Sequence, residues 1–419
     1  MRGWCFLVSG LVPLACATLP SVDAALKSDL GTLRRSIAAE QKDGAIDRTK
    51  ASKIAQAVAA REVYSGTGPG AAARIRGLRA CALPVMDALE ARASRQDEAG
   101  AEATLVLLAA RRVPAEPLAS RYDDADSGAW RAVAARASLS PSRFHKRRQY
   151  FVDPDQRVRR AAFEAALEAP ASLDLPALVE AARLDPDAQS RSLATRAIGN
   201  GGGEAALRAL VDLWEHAGDD DRVTIVEALG RRRTLEAGGR AELLHIAEGG
   251  HGVAAVAAAG TLLRVDPSSA SAAGALLARA VTSGSGDEQL LAIQLAPLDG
   301  PARKALDDTS KGADPELRIA ALERLLAVPS ERARVLAALR AEAKSPDDVA
   351  DAAKAALARA GDASVGPYLV RSLASHAWRE RQDAGLALVT LGDYGHASTL
   401  LADDDANVRV SIACRILGS

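Results

Sequence analysis

A repeat of about 31 residues is the feature of this 419-residue sequence that most restricts its fold. Each copy ends in an alanine-rich apolar segment, and the last large apolar residue of these segments recurs every 28 to 33 residues. These residues are Leu139, Leu167, Ile198, Leu229, Leu262, Leu295, Leu326, Leu357, Leu388 and Leu417. A unit of this length holds two helices of about a dozen residues and two short turns. We therefore predict an array of stacked helix pairs.

Composition and turn chemistry both favour an all-α fold. Hydrophobic residues make up 48% of the chain but aromatic residues only 3%, so the apolar content is mostly alanine, leucine and valine. Such side chains suit closely packed helices better than a sheet. The runs DPD at 153–155 and 185–187 and DPE at 314–316 place a capping acid before a proline that fits the first helical turn. No segment alternates apolar and polar residues as a strand does.

Three of the repeated segments resemble a known family. DPDQRVRRAAFEAAL (153–167), DPDAQSRSLATRAIG (185–199) and DDDANVRVSIACRIL (403–417) look like the second helix of HEAT repeats, in the short bacterial variety also found in phycobilisome-lyase-like proteins. The resemblance covers roughly residues 95 to 419. It implies a right-handed α-solenoid of about ten HEAT-like helix pairs.

The same resemblance implies a ladder, in which an acid at the turn and an arginine six residues later form bonds between neighbouring repeats. The residues that match this motif are Asp153 with Arg159, Asp185 with Arg191 and Asp403 with Arg409. The pattern differs at 314, because Ala320 occupies the arginine position and Arg318 comes two residues early. We interpret the matching residues as structural rather than catalytic.

The residues before the repeats carry an export signal and a short helical segment. Residues 1–17 have the layout of a secretory signal sequence. PLAC resembles a lipoprotein box and implies lipid attachment at Cys16, whereas ordinary cleavage after Ala17 is the alternative. We predict a helical preface or N-terminal cap at 18–64, a linker at 65–71 and the solenoid at 72–419. We prefer a cap for the exposed end of the array over a membrane stalk.

No catalytic, cofactor-binding or metal-binding set emerges from the sequence. His245 and His251 flank a glycine turn and are interpreted as ordinary loop residues. The glycine-rich run 199–206 is predicted to be a flexible turn between repeats. Cys81 and Cys414 lie in alanine-rich helices and are predicted to be buried small apolar residues, too few for a disulfide framework.

One local surface feature is the run SRFHKRRQYF at 142–151. Its Arg143, Lys146, Arg147, Arg148 and Tyr150 are candidates for an anionic partner by charge and stacking. The alternative is that the cations favour the negative C-terminal end of a helix. The formal net charge of the chain is -1, so we expect no nucleic acid as a partner.

We expect a non-enzymatic protein–protein interaction scaffold in the bacterial cell envelope, either a lipid-tethered lipoprotein or a periplasmic or secreted protein. Ten units would extend on the order of 100 Å, and protein partners would bind along their concave inner face. The alternative is an exported enzyme, or a protein that binds a small ligand or polymer, with its site in the groove of the solenoid. We expect no cofactor.

Overall fold

A computed structural model describes residues 19–419 apart from 28, 43, 45, 250, 251 and 346–348. All regular secondary structure in these ranges is helical, which confirms the predicted all-α solenoid. The predicted signal sequence, with Cys16 and Ala17, lies outside the described residues. In the described part of the chain, no helix is both long enough and apolar enough to span a bilayer.

Two helices, α1 (Pro20–Leu26) and α2 (Leu30–Lys42), precede a continuous series of helix pairs. The first pairs are α3 (Arg48–Tyr64) with α4 (Pro69–Gly77), α5 (Met86–Ala93) with α6 (Glu98–Ala109), α7 (Ala115–Arg121) with α8 (Gly128–Ala137), and α9 (Phe144–Tyr150) with α10 (Gln156–Glu168). The next are α11 (Leu175–Leu184) with α12 (Ala188–Gly201) and α13 (Gly203–His216) with α14 (Asp219–Leu229). The one-turn α15 (Arg232–Thr234) and a π-helical segment at Leu235–Gly239 then precede the pair of α16 (Arg240–Gly249) with α17 (Val253–Val265). The pairs continue as α18 (Ala270–Ser283) with α19 (Gly286–Leu295), α20 (Gly300–Thr309) with α21 (Pro315–Leu325), α22 (Arg332–Glu342) with α23 (Val349–Arg359), α24 (Gly366–Ser372) with α25 (Trp378–Thr390), and α26 (Tyr394–Ser398) with α27 (Ala406–Gly418). Short 3₁₀ segments lie at Leu78–Cys81, Leu83–Val85, Pro141–Arg143, Ser172–Asp174, Pro267–Ser269, Ala363–Val365 and Thr399–Ala402.

Aspartate caps set where several second helices begin. The side chains of Asp155, Asp187, Asp314 and Asp405 each accept a hydrogen bond from a backbone N–H in the first turn, at 2.8 to 3.0 Å. Counted from these caps, the ladder arginine lies four residues later in all four helices. Arg318 therefore occupies the regular position, and the departure that we expected at 314 came from aligning the wrong acid of the turn.

Small residues let neighbouring second helices approach closely. Gly199 lies inside α12, where a Cβ atom would come within 2.7 Å of the carbonyl oxygen of Ala228 on α14. The turn to α13 comes later, at Gly202 and Gly203, which have φ values of 67° and 79°. The predicted flexible turn at 199–206 is therefore wrong for its first three residues, which are helical, and for its last four, which begin α13.

The solenoid closes on itself. Contacts pass between successive second helices from α4 to α27, and α27 then packs against α3 and α4. On the outer side, α2 packs against α26 and the 3₁₀ segment Thr399–Ala402. The expected extension to about 100 Å is thus wrong, because small rotations between repeats accumulate until the two ends of the array meet.

The N-terminal helices are part of this ring. Residues 65–68 connect α3 to α4, and residues 69–71 form the first turn of α4. The predicted linker therefore lies inside a helix pair, and α3 and α4 form the unit that follows α27 around the ring.

Candidate functional site at the closure seam

The ladder arginines join each repeat to the next by one recurring geometry. The Nε and NH2 groups of Arg159 donate to the carboxylate of Asp185 at 2.7 and 3.0 Å, while its NH1 donates to the backbone carbonyl of Asp153 at 2.9 Å. The carboxylate of Asp153 accepts from Arg131 of the preceding repeat at 2.9 and 3.1 Å. Each arginine thus closes its own turn and binds the acid of the next unit.

We call each of these arginine–acid pairs between neighbouring repeats a rung of the ladder. Other repeats carry equivalent rungs. Arg318 donates to Glu342 at 2.9 and 3.1 Å, and Arg381 donates to Asp403 at 2.7 and 2.8 Å. The Nε group of Arg191 donates to Asp221 at 3.1 Å and its NH1 to the carbonyl of Asp185 at 3.1 Å. These rungs account for the arginines of the repeated motif as structural elements.

Hydrogen bonds lower the pKa of one ladder carboxylate, Asp403, and of one helix cap, Asp187. Burial alone raises the pKa of Asp403, but hydrogen bonds from Arg381 and from the backbone N–H of Asp405 outweigh it, so the pKa lies below its ordinary value. Hydrogen bonds from Arg160 and Ser190 likewise hold the pKa of Asp187 well below its ordinary value. The Asp403 and Asp187 carboxylates are therefore ionised at neutral pH.

The last rung of the ladder crosses the ring closure. Arg409 on α27 donates from Nε to Oε1 of Glu62 at 2.8 Å and from NH1 to the carbonyl of Asp403 at 2.7 Å. The Glu62 side chain is 1% exposed, and the Nε group of Arg74 lies 3.1 Å from its second oxygen. Glu62 precedes α4 by seven residues, as Glu342 precedes α23. It is thus the ladder acid of the unit that follows α27.

A disulfide fastens the same seam. Cys81, at the end of the 3₁₀ segment after α4, is bonded to Cys414 on α27, with the two Cα atoms 5.1 Å apart and 333 residues apart in sequence. On the outer side, Arg34 forms an ion pair with Asp404 and donates to the carbonyl of Ala402 at 2.8 Å. Our prediction that the two cysteines are separate apolar residues is wrong, because the ring brings the ends of the chain together.

A concave cavity of about 900 Å³ lies directly beside the disulfide. We call it the seam cavity and define it by its lining residues, which are Gly77, Ala80, Asp351, Ala355, Ala358, Arg359, Tyr368, Leu369, Ser372, Glu380, Asp383, Ala384, Leu386, Ala387, Thr390, Ser411, Cys414, Arg415 and Gly418. Its walls come from α23, α24, α25 and α27 and, across the seam, from α4 and the 3₁₀ segment after it. The cavity therefore spans the ring closure.

The lining combines an alanine-rich surface with charged side chains. Ala355 and Ala387 are half-buried, whereas Glu380, Asp383 and Arg415 are exposed. Other charges at the cavity are paired: Arg359 donates to Glu323 at 2.8 Å. Such a surface can accept apolar side chains from a partner and hold polar groups around them.

Asp351 belongs to a small network at the cavity wall. Its carboxylate accepts from the Nζ of Lys354 at 3.0 Å, and this hydrogen bond, aided by one from Tyr368, holds the pKa of Asp351 below its ordinary value. The Nζ of Lys354 also lies 4.2 Å from the centre of the Tyr368 ring, a cation–π contact. Lys354 thus links Asp351 and Tyr368 at the cavity wall.

Most of the charged side chains in the predicted anionic-partner patch are paired with other residues of the protein. Arg143 and Tyr150 both bond to the carboxylate of Asp123, and Lys146 lies 3.2 Å from Asp124. The side chain of Arg147 is fully buried against Asp174 and donates to the carbonyl of Ala169 at 2.9 Å. Arg148 is exposed. The set does not present four neighbouring free cations.

Of the two histidines that the sequence singled out, the structure describes only one. His245 is exposed on α16, and His251 lies outside the described residues. Among the described residues, Asp212, Glu215 and His216 form a group of three metal-ligand side chains on α13, and all three are exposed. Asp212 is ion-paired with Arg183, so one of the two carboxylates of this group already has a partner within the protein.

Sequence reasoning missed Glu62, Arg34 and the pairing of the two cysteines. The repeat spacing holds no signal for them, because each of these contacts joins residues more than 300 positions apart in the sequence.

The fold and the ladder define an α-solenoid of HEAT-like helix pairs. No protein-family model matches the sequence, and no curated protein matches it. Among solved structures, the chain is similar to the karyopherin Kap121p, crystallised bound to the extreme C-terminus of the protein phosphatase Cdc14p, with 11% identity and a TM-score of 0.32. The alignment covers 94% of this chain and 48% of the karyopherin, so the chain spans about half the length of that protein.

Proposed function

We propose that this chain is a non-enzymatic protein–protein interaction scaffold and that the seam cavity is its partner-binding surface. The observation that supports this is the cavity itself, which is concave, has an alanine-rich surface beside exposed charges, and is built from helices at both ends of the ring. Protein interfaces have this combination of an apolar centre and a polar rim. A closed and fastened ring holds such a surface ready for a partner.

We infer further that the protein works outside the cytoplasm, in the bacterial cell envelope. A disulfide between Cys81 and Cys414 supports this, because disulfides form and persist in oxidising compartments. The secretory layout predicted for residues 1–17 supports the same proposal. We propose lipid attachment at Cys16, which the mass of the mature N-terminus tests: an acylated cysteine is expected, whereas an unmodified start at Thr18 contradicts it.

One observation favours a second function, the binding of a small ligand. The seam cavity has the volume of small-molecule sites, which range from roughly 300 to 1,000 Å³. Native mass spectrometry of the protein isolated from its own envelope distinguishes the two functions. A retained small mass supports the ligand, and a retained protein supports the scaffold.

Site-specific photo-cross-linking tests the scaffold function. A photoreactive amino acid replaces Asp383, which is exposed at the cavity, or Asp308, which is exposed on the outer helix α20. We expect one protein to be captured from intact envelope at position 383 and not at 308. We also expect Asp383→Lys to reduce co-purification of that protein at least fivefold and Asp308→Lys to leave it unchanged. Equal capture at both positions contradicts the proposal.

A further inference from the structure

Within the described ring, the disulfide lies at the contact between α4 and α27, the one joint at which neighbouring second helices are not joined by a short stretch of chain. Neighbouring second helices elsewhere follow each other within about 30 residues, so chain connectivity keeps them close. At the seam, α4 and α27 are neighbours in space, but the bonded cysteines are 333 residues apart. Without the disulfide, only non-covalent contacts hold this joint.

The two cysteine residues differ in their exposure to solvent. Cys81 is 7% exposed, whereas Cys414 is half-buried and lines the seam cavity. A thiol that enters the cavity therefore meets Cys414 first. A protein partner that fills the cavity covers the same residue.

We propose that the Cys81–Cys414 disulfide is a redox latch that regulates the seam cavity. The proposal rests on the proposed function, because it names the regulation of the same site. A thiolate of a dithiol reductant attacks Sγ of Cys414, which breaks the bond to Cys81 and forms a mixed disulfide, and the Cys81 thiolate takes up a proton. The second thiolate of the reductant then displaces Cys414, which is protonated in turn. The reductant becomes a disulfide, and two electrons and two protons have passed to the cystine.

Reduction converts a fixed joint into an equilibrium between closed and open rings. The Glu62–Arg409 pair and the contacts of α27 with α3 still favour the closed form. Opening separates Gly77 and Ala80 from α27, so the cavity loses one wall. A partner that binds only the closed ring is released by opening and, by linkage, protects the disulfide from reduction.

Hydrogen exchange measured by mass spectrometry on the full chain tests the latch. We compare the oxidised protein with protein treated with dithiothreitol, and we read α3, α4 and α27 against the interior helices α12 and α14. We expect exchange at least tenfold faster in the seam helices on reduction and unchanged exchange in the interior helices. No change, or an equal change in all helices, overturns the latch.

A variant and a reagent control keep the test decisive. The Cys81→Ser/Cys414→Ser protein is expected to exchange like the reduced protein, and dithiothreitol is expected to have no further effect on it. Unchanged far-UV circular dichroism shows that the variant is folded. If the variant does not fold, the native protein is reduced and then reoxidised, and its hydrogen exchange is compared in the two states. We expect slow exchange in the seam helices to return on reoxidation.

The regulatory role is tested with the cross-linker at position 383. Reduction is expected to lower capture of the cross-linked protein at least fivefold, and reoxidation to restore it. An open seam with unchanged capture overturns the regulation and leaves the scaffold function standing. A seam that opens in a protein that captures nothing even when oxidised overturns the scaffold function, and the regulation with it.

Discussion

Removal of the arginine at the last rung tests whether the ring closure stabilises the fold. Arg409 makes hydrogen bonds to the Glu62 carboxylate and to the carbonyls of Asp403 and Asp404, and its side chain is only 8% exposed. Arg409→Ala leaves a carboxylate that is 1% exposed without its main partner. Breaking a buried ion pair in this way costs about 3 to 5 kcal/mol.

The structure places the expected loss at the lower end of that range. Arg74 remains 3.1 Å from the second carboxylate oxygen of Glu62 and offsets part of the uncompensated charge. We therefore expect Arg409→Ala to lower the free energy of unfolding by about 3 kcal/mol. In a double-mutant cycle with Glu62→Gln, the coupling free energy is expected to be about 2 kcal/mol.

Urea unfolding followed by circular dichroism measures these values, with the disulfide intact in every variant so that its effect on the unfolded chain cancels. Arg208→Ala is the matched control, because Arg208 forms an ion pair with Glu204 in which both side chains are more than 70% exposed. That control is expected to change stability by less than about 0.5 kcal/mol. If Arg409→Ala lowers the free energy of unfolding no more than the control does, the reasoning about the buried rung is refuted.

Three further predictions concern the repeats. Asp153→Ala with Arg159→Ala removes two consecutive rungs and is expected to lower stability by about 3 kcal/mol in the same urea assay; full stability would contradict the structural interpretation of the motif. Gly199→Ala is expected to cost about 2 kcal/mol because its Cβ would meet a backbone carbonyl at 2.7 Å, whereas Gly201→Ala, with its nearest neighbour at 4.0 Å, is expected to be neutral; equal effects would rule out the close approach. The pKa of Asp187 is lower in the folded protein than in the unfolded chain, so its contribution is complete at neutral pH and declines as the pH falls below about 4. Unfolding between pH 6 and pH 3 is therefore expected to depend less on pH in Asp187→Asn than in the native protein, and parallel pH profiles would contradict this.

Local patterns in the sequence were enough to predict the helix pairs. The spacing of Leu139 to Leu417 reports the repeat length, and the buried face of α10, with Val158, Ala162, Ala165 and Ala166, follows from helical periodicity. The turn acids were harder to align, because each of these turns carries two or three acids that can serve as the helix cap or as the ladder acid. The cap accepts backbone N–H groups, whereas the ladder acid accepts from the preceding repeat, and only the structure separates them.

Ring closure could not be predicted from the same patterns. It depends on the sum of small rotations between many repeats, and no single residue encodes that sum. The contacts of Glu62 with Arg409 and of Cys81 with Cys414 join residues more than 300 positions apart, where sequence spacing carries no geometric information. The seam cavity follows from closure and was hidden for the same reason.

The distance between the two ends of the chain tests the closed ring most directly. Pulsed electron paramagnetic resonance can measure it between spin labels on non-natural amino acids at Lys53 on α3 and Asn407 on α27, two exposed positions, with both native cysteines retained. A closed ring predicts one narrow distribution within roughly 30 Å, since packed helices lie about 8 to 10 Å apart and the two sites are separated only by the lengths of neighbouring helices. A broad distribution extending toward 100 Å, the length of an open array of ten units, would contradict the closure and with it the seam cavity.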